Sequence, residues 1–177
     1  TNFEGTIWEF EDLDYSARPP TARTNKKVKC MVVRNTSAIA LLPKRLVTFE
    51  QTAGRDLTGQ VDGYCTVTGA ASTFSIDEFL PTAGCPNNDL CYIVIEGPAM
   101  MLTALEADAS NLLTAGTIVN ALTAVTSQST TAGRCKPQIT SGATSALALE
   151  IQNRIGVALS SRTTANTNND ILVDVRR

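Results

Sequence analysis

Short β-prone runs separated by turn residues are the feature of this sequence that most restricts its fold. The runs are residues 28–34, 38–42 with 46–49, 63–68, 90–95, 117–125, 155–159 and 171–175. They are rich in Val, Ile, Thr and Tyr and are bounded by Gly, Pro, Asn or Asp, as strands usually are. In several, such as DILVDVRR, side chains alternate between apolar and polar, which a half-buried antiparallel strand requires. This pattern predicts a mainly β protein, an antiparallel β-barrel or sandwich.

The first 27 residues differ in composition from the rest of the chain. Aromatic residues alternate there with acids up to residue 15, and a basic stretch containing Pro19 and Pro20 follows. Disordered tails are poor in aromatic residues, so we favour an extended N-terminal arm over a disordered tail. We predict a 1–27 arm and a 28–177 β-domain. The residues expected to bind a partner are Phe3, Trp8, Phe10, Tyr15, Arg18 and Arg23.

The charges of this segment allow several interpretations. The basic residues are Arg18, Arg23, Lys26, Lys27 and Lys29. One interpretation is a solvated linker, a second is a segment that pairs with an acidic surface of a partner, and a third is a segment that pairs with the acidic stretch 4–14 of a neighbouring copy. Opposite charges cluster on either side of residue 16, which slightly favours the last of these.

The charge and hydropathy of the whole chain argue against two classes of partner. The formal net charge is −2, with 15 basic and 17 acidic residues, so we expect no nucleic-acid binding. No apolar run approaches the roughly 18 residues that span a bilayer, and residues 1–14 do not resemble a secretory leader. We therefore expect a protein that is made in a cytoplasm and does not bind a membrane.

The residues that usually carry out catalysis or bind metals are scarce. The chain has no histidine, which excludes Ser-His and Cys-His nucleophilic pairs. The five cysteines are an odd number without a CxxC spacing, so we predict free, mostly buried thiols and no metal site. If any pair forms a disulfide, it is Cys85 with Cys91. The glycines form no phosphate-binding motif. We expect neither an enzyme nor a cofactor.

Three motifs in residues 88–176 resemble the small β-barrel decoration proteins of tailed bacteriophages. Residues 88–101, NDLCYIVIEGPAMM, contain a strand that runs through Gly-Pro into a hairpin, as in that family. Ala115-Gly116-Thr117 resembles the family's "aGd" turn, with Thr117 in place of the acid. Residues 154–159, RIGVAL, resemble its "iGvAl" strand. The residues assigned to the structural hairpin are Ile93, Ile95, Gly97, Pro98 and Gly116.

The resemblance implies a cement protein on the outer surface of a capsid in the virion. Such a protein bridges subunits of the major capsid protein and is often a trimer. The low content of charged residues, 18%, and the 24 Thr and 21 Ala are compatible with a domain covered by its neighbours. Two alternatives remain open: a tail or neck tube protein, and a receptor- or carbohydrate-binding β-domain of a phage fibre. A sugar-binding domain would expose Trp and Tyr, and the chain's one tryptophan, Trp8, lies in the predicted arm.

Overall fold

The computed structural model describes residues 3–49, 59–64, 74–76, 80–103, 113–121, 133–138, 151, 154–162 and 170–176. These residues form ten β-strands, which confirms the predicted mainly β class. The strands are β1 (Ile7–Asp14), β2 (Thr21–Asn35), β3 (Leu46–Phe49), β4 (Gln60–Tyr64), β5 (Phe74–Ile76), β6 (Leu90–Leu102), β7 (Ile118–Ala121), β8 (Cys135–Pro137), β9 (Arg154–Ala158) and β10 (Asp170–Val175).

The long strand β6 belongs to both halves of the sheet. Its residues 90–96 pair antiparallel with β2, and its residues 97–102 pair antiparallel with β10. The change of partner falls at Gly97, whose φ of 99° lies in a region that side chains other than glycine rarely adopt. A Cβ atom there would lie 2.3 Å from the carbonyl oxygen of Lys27. Glycine therefore allows β6 to bend while its backbone passes close to β2.

The pairing of β2 with β6 makes the first half of the sheet barrel-shaped. The strand order is β1-β2-β4-β3-β5-β6-β10-β9-β7-β8, and β2 also pairs with β6. The ring β2-β4-β3-β5-β6 therefore returns to its starting strand. The β2–β4 pair is parallel, and the other pairs of the ring are antiparallel. The sheet is thus a nearly closed barrel from which β1 extends along β2.

The second half of the sheet starts from the end of β6. Strands β10, β9, β7 and β8 follow it in antiparallel order, and a parallel bridge joins Thr103 to Cys135, the first residue of β8. At Gly156 in β9, a Cβ atom would lie 2.0 Å from the carbonyl oxygen of Asp174. Strand β9 therefore needs glycine at this position for close packing on β10.

Two hydrophobic cores lie on opposite faces of the β2–β6 pair. Met31 and Ile93 are paired residues that belong to one core, and Cys30 and Val94 are paired residues that belong to the other. Ile95, partly buried, packs against the same core as Ile93. Side chains of consecutive strand residues point to opposite faces, so a strand that is apolar on both faces requires two cores.

The extended N-terminal arm is not confirmed. Residues 7–14 form β1 and pair with residues of β2 from Thr21 to Met31, so the segment forms a β-hairpin within the sheet. The predicted boundary at residue 27 falls inside β2. Charge pairing stabilises this arrangement, since Glu9 lies opposite Lys29, Glu11 lies opposite Lys27, and Arg23 pairs with Asp12.

The described cysteines agree with the prediction of free thiols. Cys30, Cys85, Cys91 and Cys135 are free and buried, and Cys65 lies outside the described residues. Burial raises the pKa of the Cys135 thiol far above its ordinary value. Cys135 is therefore held in its neutral, unreactive form.

Candidate functional site

Aromatic side chains gather where β1, β2 and β6 run side by side. Trp8 of β1 pairs with Cys30 of β2, and Val32 of β2 pairs with Tyr92 of β6. Paired residues point to the same face of a sheet, so Trp8 and Tyr92 share the face that carries Val32. The ring of Phe10 meets the ring of Tyr92 edge to face, with centroids 5.9 Å apart. Such a pair contributes roughly 0.5–1.5 kcal/mol beyond its buried area.

These rings border a groove of about 300 Å³, which we call the aromatic groove. Its walls are formed by Phe3, Trp8, Val32, Leu90, Cys91 and Tyr92. Phe3 is 50% exposed, Trp8 48%, Leu90 43% and Tyr92 39%. Several large apolar side chains that are exposed next to one another often mark an interaction surface, whereas single exposed apolar side chains are common on any protein.

Hydrogen bonds to β2 fix the residues that precede β1. The Gly5 amide donates to the Val32 carbonyl at 2.8 Å, and the Val32 amide donates to the Thr6 carbonyl at 2.9 Å. The Arg34 guanidinium pairs with the Glu4 carboxylate. These contacts hold Phe3 at the edge of the groove, so the site is formed before any ligand arrives.

A smaller cavity of about 220 Å³ continues the groove toward the loop before β6. It shares Leu90, Cys91 and Tyr92 with the aromatic groove and adds Leu80, Pro81, Gly84, Cys85, Pro86 and Asp89. Asp89 is exposed and places a carboxylate at this end of the surface. The combined surface is therefore mainly apolar in the groove, mixed polar and apolar in the smaller cavity, and acidic at Asp89.

Ion pairs within the chain join the acidic and basic stretches of the hairpin. Lys27 pairs with Glu9 at 2.6 Å, and Arg23 pairs with Asp12 at 2.6 Å. The hydrogen bond and charge of Lys27 lower the pKa of Glu9 below its ordinary value. Opposite charges on adjacent strands thus stabilise the hairpin that carries the aromatic residues.

A third cavity, of about 570 Å³, surrounds the bend of β6 and is lined by charged residues. Lys26 and Arg176 both contact the buried carboxylate of Asp174, at 2.5 Å and 2.8 Å. Burial alone would raise the pKa of Asp174, but hydrogen bonds and positive charge from Lys26 and Arg176 lower it below the ordinary value. The charged residues around this cavity therefore pair with one another, and the Lys26–Asp174 pair links β2 to β10.

The residues singled out from the sequence fall into three places. Phe3 and Trp8 line the aromatic groove, and Phe10 contacts it through Tyr92. Tyr15 and Arg18 lie in the turn between β1 and β2, while Arg23 binds Asp12 next to that turn.

The residues assigned to the structural hairpin lie apart from the groove. Ile93 and Ile95 pack in a core, and Gly97 and Pro98 form the bend of β6. Gly116 lies in a turn closed by the Thr117 amide donating to the Thr114 carbonyl at 3.0 Å.

Sequence reasoning missed Leu90 and Tyr92 as groove residues. The alternation of side chains along β6 was a usable signal. Leu90 and Tyr92 alternate with Cys91 and Ile93, so they face away from the core that contains Cys91 and Ile93. The sequence pattern did not indicate that β1 would lie two strands away on the same face.

The described residues contain no group of three Cys, Asp or Glu side chains arranged to hold a metal ion. In the same part of the chain, no helix is long and apolar enough to cross a membrane.

Comparison of the sequence and fold with protein-family models, curated proteins and solved structures finds no match. Of the three cavities described above, the aromatic groove has the most apolar lining.

Proposed function

We propose that this chain is a non-enzymatic structural protein that docks on neighbouring protein subunits through the aromatic groove. In its most specific form, the proposal is that the chain is a decoration protein on the outer capsid surface of a tailed phage and bridges subunits of the major capsid protein. The observation that carries the docking role is the exposure of Trp8 and Tyr92 on one preformed groove. The capsid assignment rests on the family-like motifs of residues 88–176.

The chemistry of the groove favours a protein partner. Its lining is almost entirely carbon, with the indole N–H of Trp8 and the hydroxyl of Tyr92 as the main polar groups of its side chains. Aromatic side chains bury a large area at little entropic cost, and they dominate the binding energy of protein interfaces. A partner that inserts apolar side chains between Phe3, Trp8 and Leu90 would fit this surface.

Co-sedimentation with capsids tests this proposal. Capsids stripped of decoration protein, from the virus that encodes the chain, are mixed with wild type, with Trp8→Ser and with Tyr92→Ser. Both variants should lose at least tenfold in affinity, since truncating a central aromatic anchor typically costs about 2 kcal/mol or more. Ile151→Ser removes an even more exposed apolar side chain that is not part of the groove, and this variant should bind normally. Wild-type protein that stays in the supernatant would refute the capsid role.

A carbohydrate-binding fibre domain is a second candidate, because the structure places Trp8 in a folded groove beside Tyr92 and not in a free arm. Exposed Trp and Tyr rings stack on sugars. Against it, sugar hydroxyls need several polar partners, and the groove lining has few. Trp8 is the only tryptophan, so its fluorescence reports on the groove directly. Saturable quenching or enhancement by host-surface oligosaccharides, lost in Tyr92→Ser, would favour this candidate over docking.

A further inference from the structure

We infer that the aromatic groove binds the turn between β1 and β2 of a second copy of this chain. This turn, residues 15–20 with the sequence YSARPP, is called the proline tip below. The inference deepens the proposed docking role by naming the subunit that fills the groove. It rests on the shape of the tip, on its distance from its own groove, and on the charges of the two surfaces.

The proline tip is an exposed projection with a fixed base. Tyr15 is 69% exposed, and Arg18, Pro19 and Pro20 are exposed as well. Below them, the Asp12 carboxylate is 2% exposed and accepts hydrogen bonds from the Arg23 Nε at 2.9 Å and the Thr24 hydroxyl at 2.7 Å. The base of the tip is thus fixed before binding, which lowers the entropy cost of docking.

The tip cannot reach the groove of its own chain. Trp8 and Asp14 lie on the same strand, and at about 3.3 Å per residue they are about 20 Å apart. Pairing of Asp14 with Thr21 directs the tip away from Trp8. Contact between the two surfaces therefore requires another copy.

The chemistry of the tip complements that of the groove. Exposed aromatic grooves bury apolar side chains of a partner, and Pro19 and Pro20 are two adjacent exposed apolar rings. Arg18 and Asp89 are exposed, and neither side chain makes an ion pair within the described part of the chain. With the prolines in the aromatic groove, Arg18 can pair with Asp89 at its acidic end or lie over an aromatic ring.

A contact between two different surfaces of identical chains is heterologous. Each copy offers one tip and one groove, so successive copies add head to tail until a ring closes or a filament grows. A copy with a defective tip still has an intact groove, and a copy with a defective groove still has an intact tip. This arrangement therefore predicts that two such copies form one contact with each other.

Light-scattering mass measurement of purified full-length chains tests the inference. Wild type should form an assembly larger than a dimer or a concentration-dependent polymer. The groove variant Trp8→Ser and the tip variant Pro19→Ser/Pro20→Ser should each be monomeric with wild-type thermal unfolding midpoints. Mixed in equal amounts, the two variants should form a 1:1 dimer and no larger species. Arg18→Asp should weaken assembly about tenfold or more, and added Asp89→Arg should restore it.

Three outcomes would overturn the inference: a wild type that is monomeric at every concentration, an assembly that survives both variants, or mixed variants that remain monomers. These outcomes are separate from failure of the proposed function. A monomeric wild type that still sediments with capsids through Trp8 overturns only the tip contact. If the chain assembles through the tip contact but the assemblies do not sediment with capsids, only the capsid role is overturned.

Discussion

Ile93 and Val94 are neighbours in β6, both are 0% exposed, and they belong to different hydrophobic cores. Ile93 packs in the barrel-shaped half with Met31, and Val94 packs against the half built on β10. The β2–β6 pair is therefore a wall shared by two cores. Because the aromatic groove lies on the same strand pair, its geometry depends on both cores being filled.

We predict that Ile93→Ala lowers the free energy of unfolding by about 2–5 kcal/mol, because it leaves a cavity in a fully buried site. Urea unfolding followed by circular dichroism measures the loss. Ile151→Ala serves as the control, since its side chain is 66% exposed and its removal should change the midpoint little. Equal midpoints for the two variants would show that β6 is not central to stability.

We predict that Gly97→Ala destabilises the protein more than Gly116→Ala. Both glycines have positive φ, 99° and 92°, so each variant suffers backbone strain of about 1–2 kcal/mol. Only at Gly97 does the added Cβ meet another atom, the Lys27 carbonyl oxygen, whereas Gly116 has open space. Overpacking should add about 1–3 kcal/mol at Gly97. Matching losses in urea unfolding would contradict the close approach of β6 to β2.

We predict that Asp174→Asn lowers stability at pH 7 by about 1.5–3 kcal/mol, because two charge-assisted hydrogen bonds are weakened. The pKa of Asp174 is lowered in the folded state, so its contribution is present above the unfolded pKa of about 3.9 and is lost as the pH falls through the folded value. Unfolding at pH 7 and at pH 3 should show the gap to wild type shrinking in acid.

Glu9→Gln is the matched control for this pH experiment. It removes the carboxylate of an ion pair whose two side chains are largely exposed to solvent, so the midpoint at pH 7 should stay close to wild type. An Asp174→Asn loss that is the same at both pH values would indicate altered packing and not a lost charge.

We predict that the cysteines react slowly with iodoacetamide in the native protein and completely after denaturation without reductant. The four described thiols are buried and free, and Cys135 has a strongly raised pKa, which suppresses the reactive thiolate. Intact-mass analysis should show five labels on the denatured chain. Three labels would reveal a disulfide, with Cys85 and Cys91 the first pair to examine.

Local sequence patterns were sufficient to locate several strands. Residues 46–49 were predicted as a strand and form β3, residues 171–175 lie within β10, and residues 28–34 lie within β2. These predictions succeeded because alternation, β-branched side chains and turn residues act over a few neighbours in the chain. In β6, residues 93–95 (IVI) are apolar at successive positions, which is the local pattern of a strand covered on both faces.

The pairing of the strands and the position of the groove depend on contacts between residues that are distant in the sequence. Residues 1–27 were predicted to be an arm because aromatic residues among acids, followed by a basic stretch with Pro19 and Pro20, differ from the rest of the chain, yet Glu9 and Lys27 meet across a hairpin. Tyr92 joins Trp8 only because β2 pairs with both β1 and β6. A period of two residues fixes the face of a side chain, but it does not specify the strand beside it, since that choice depends on contacts distant in sequence.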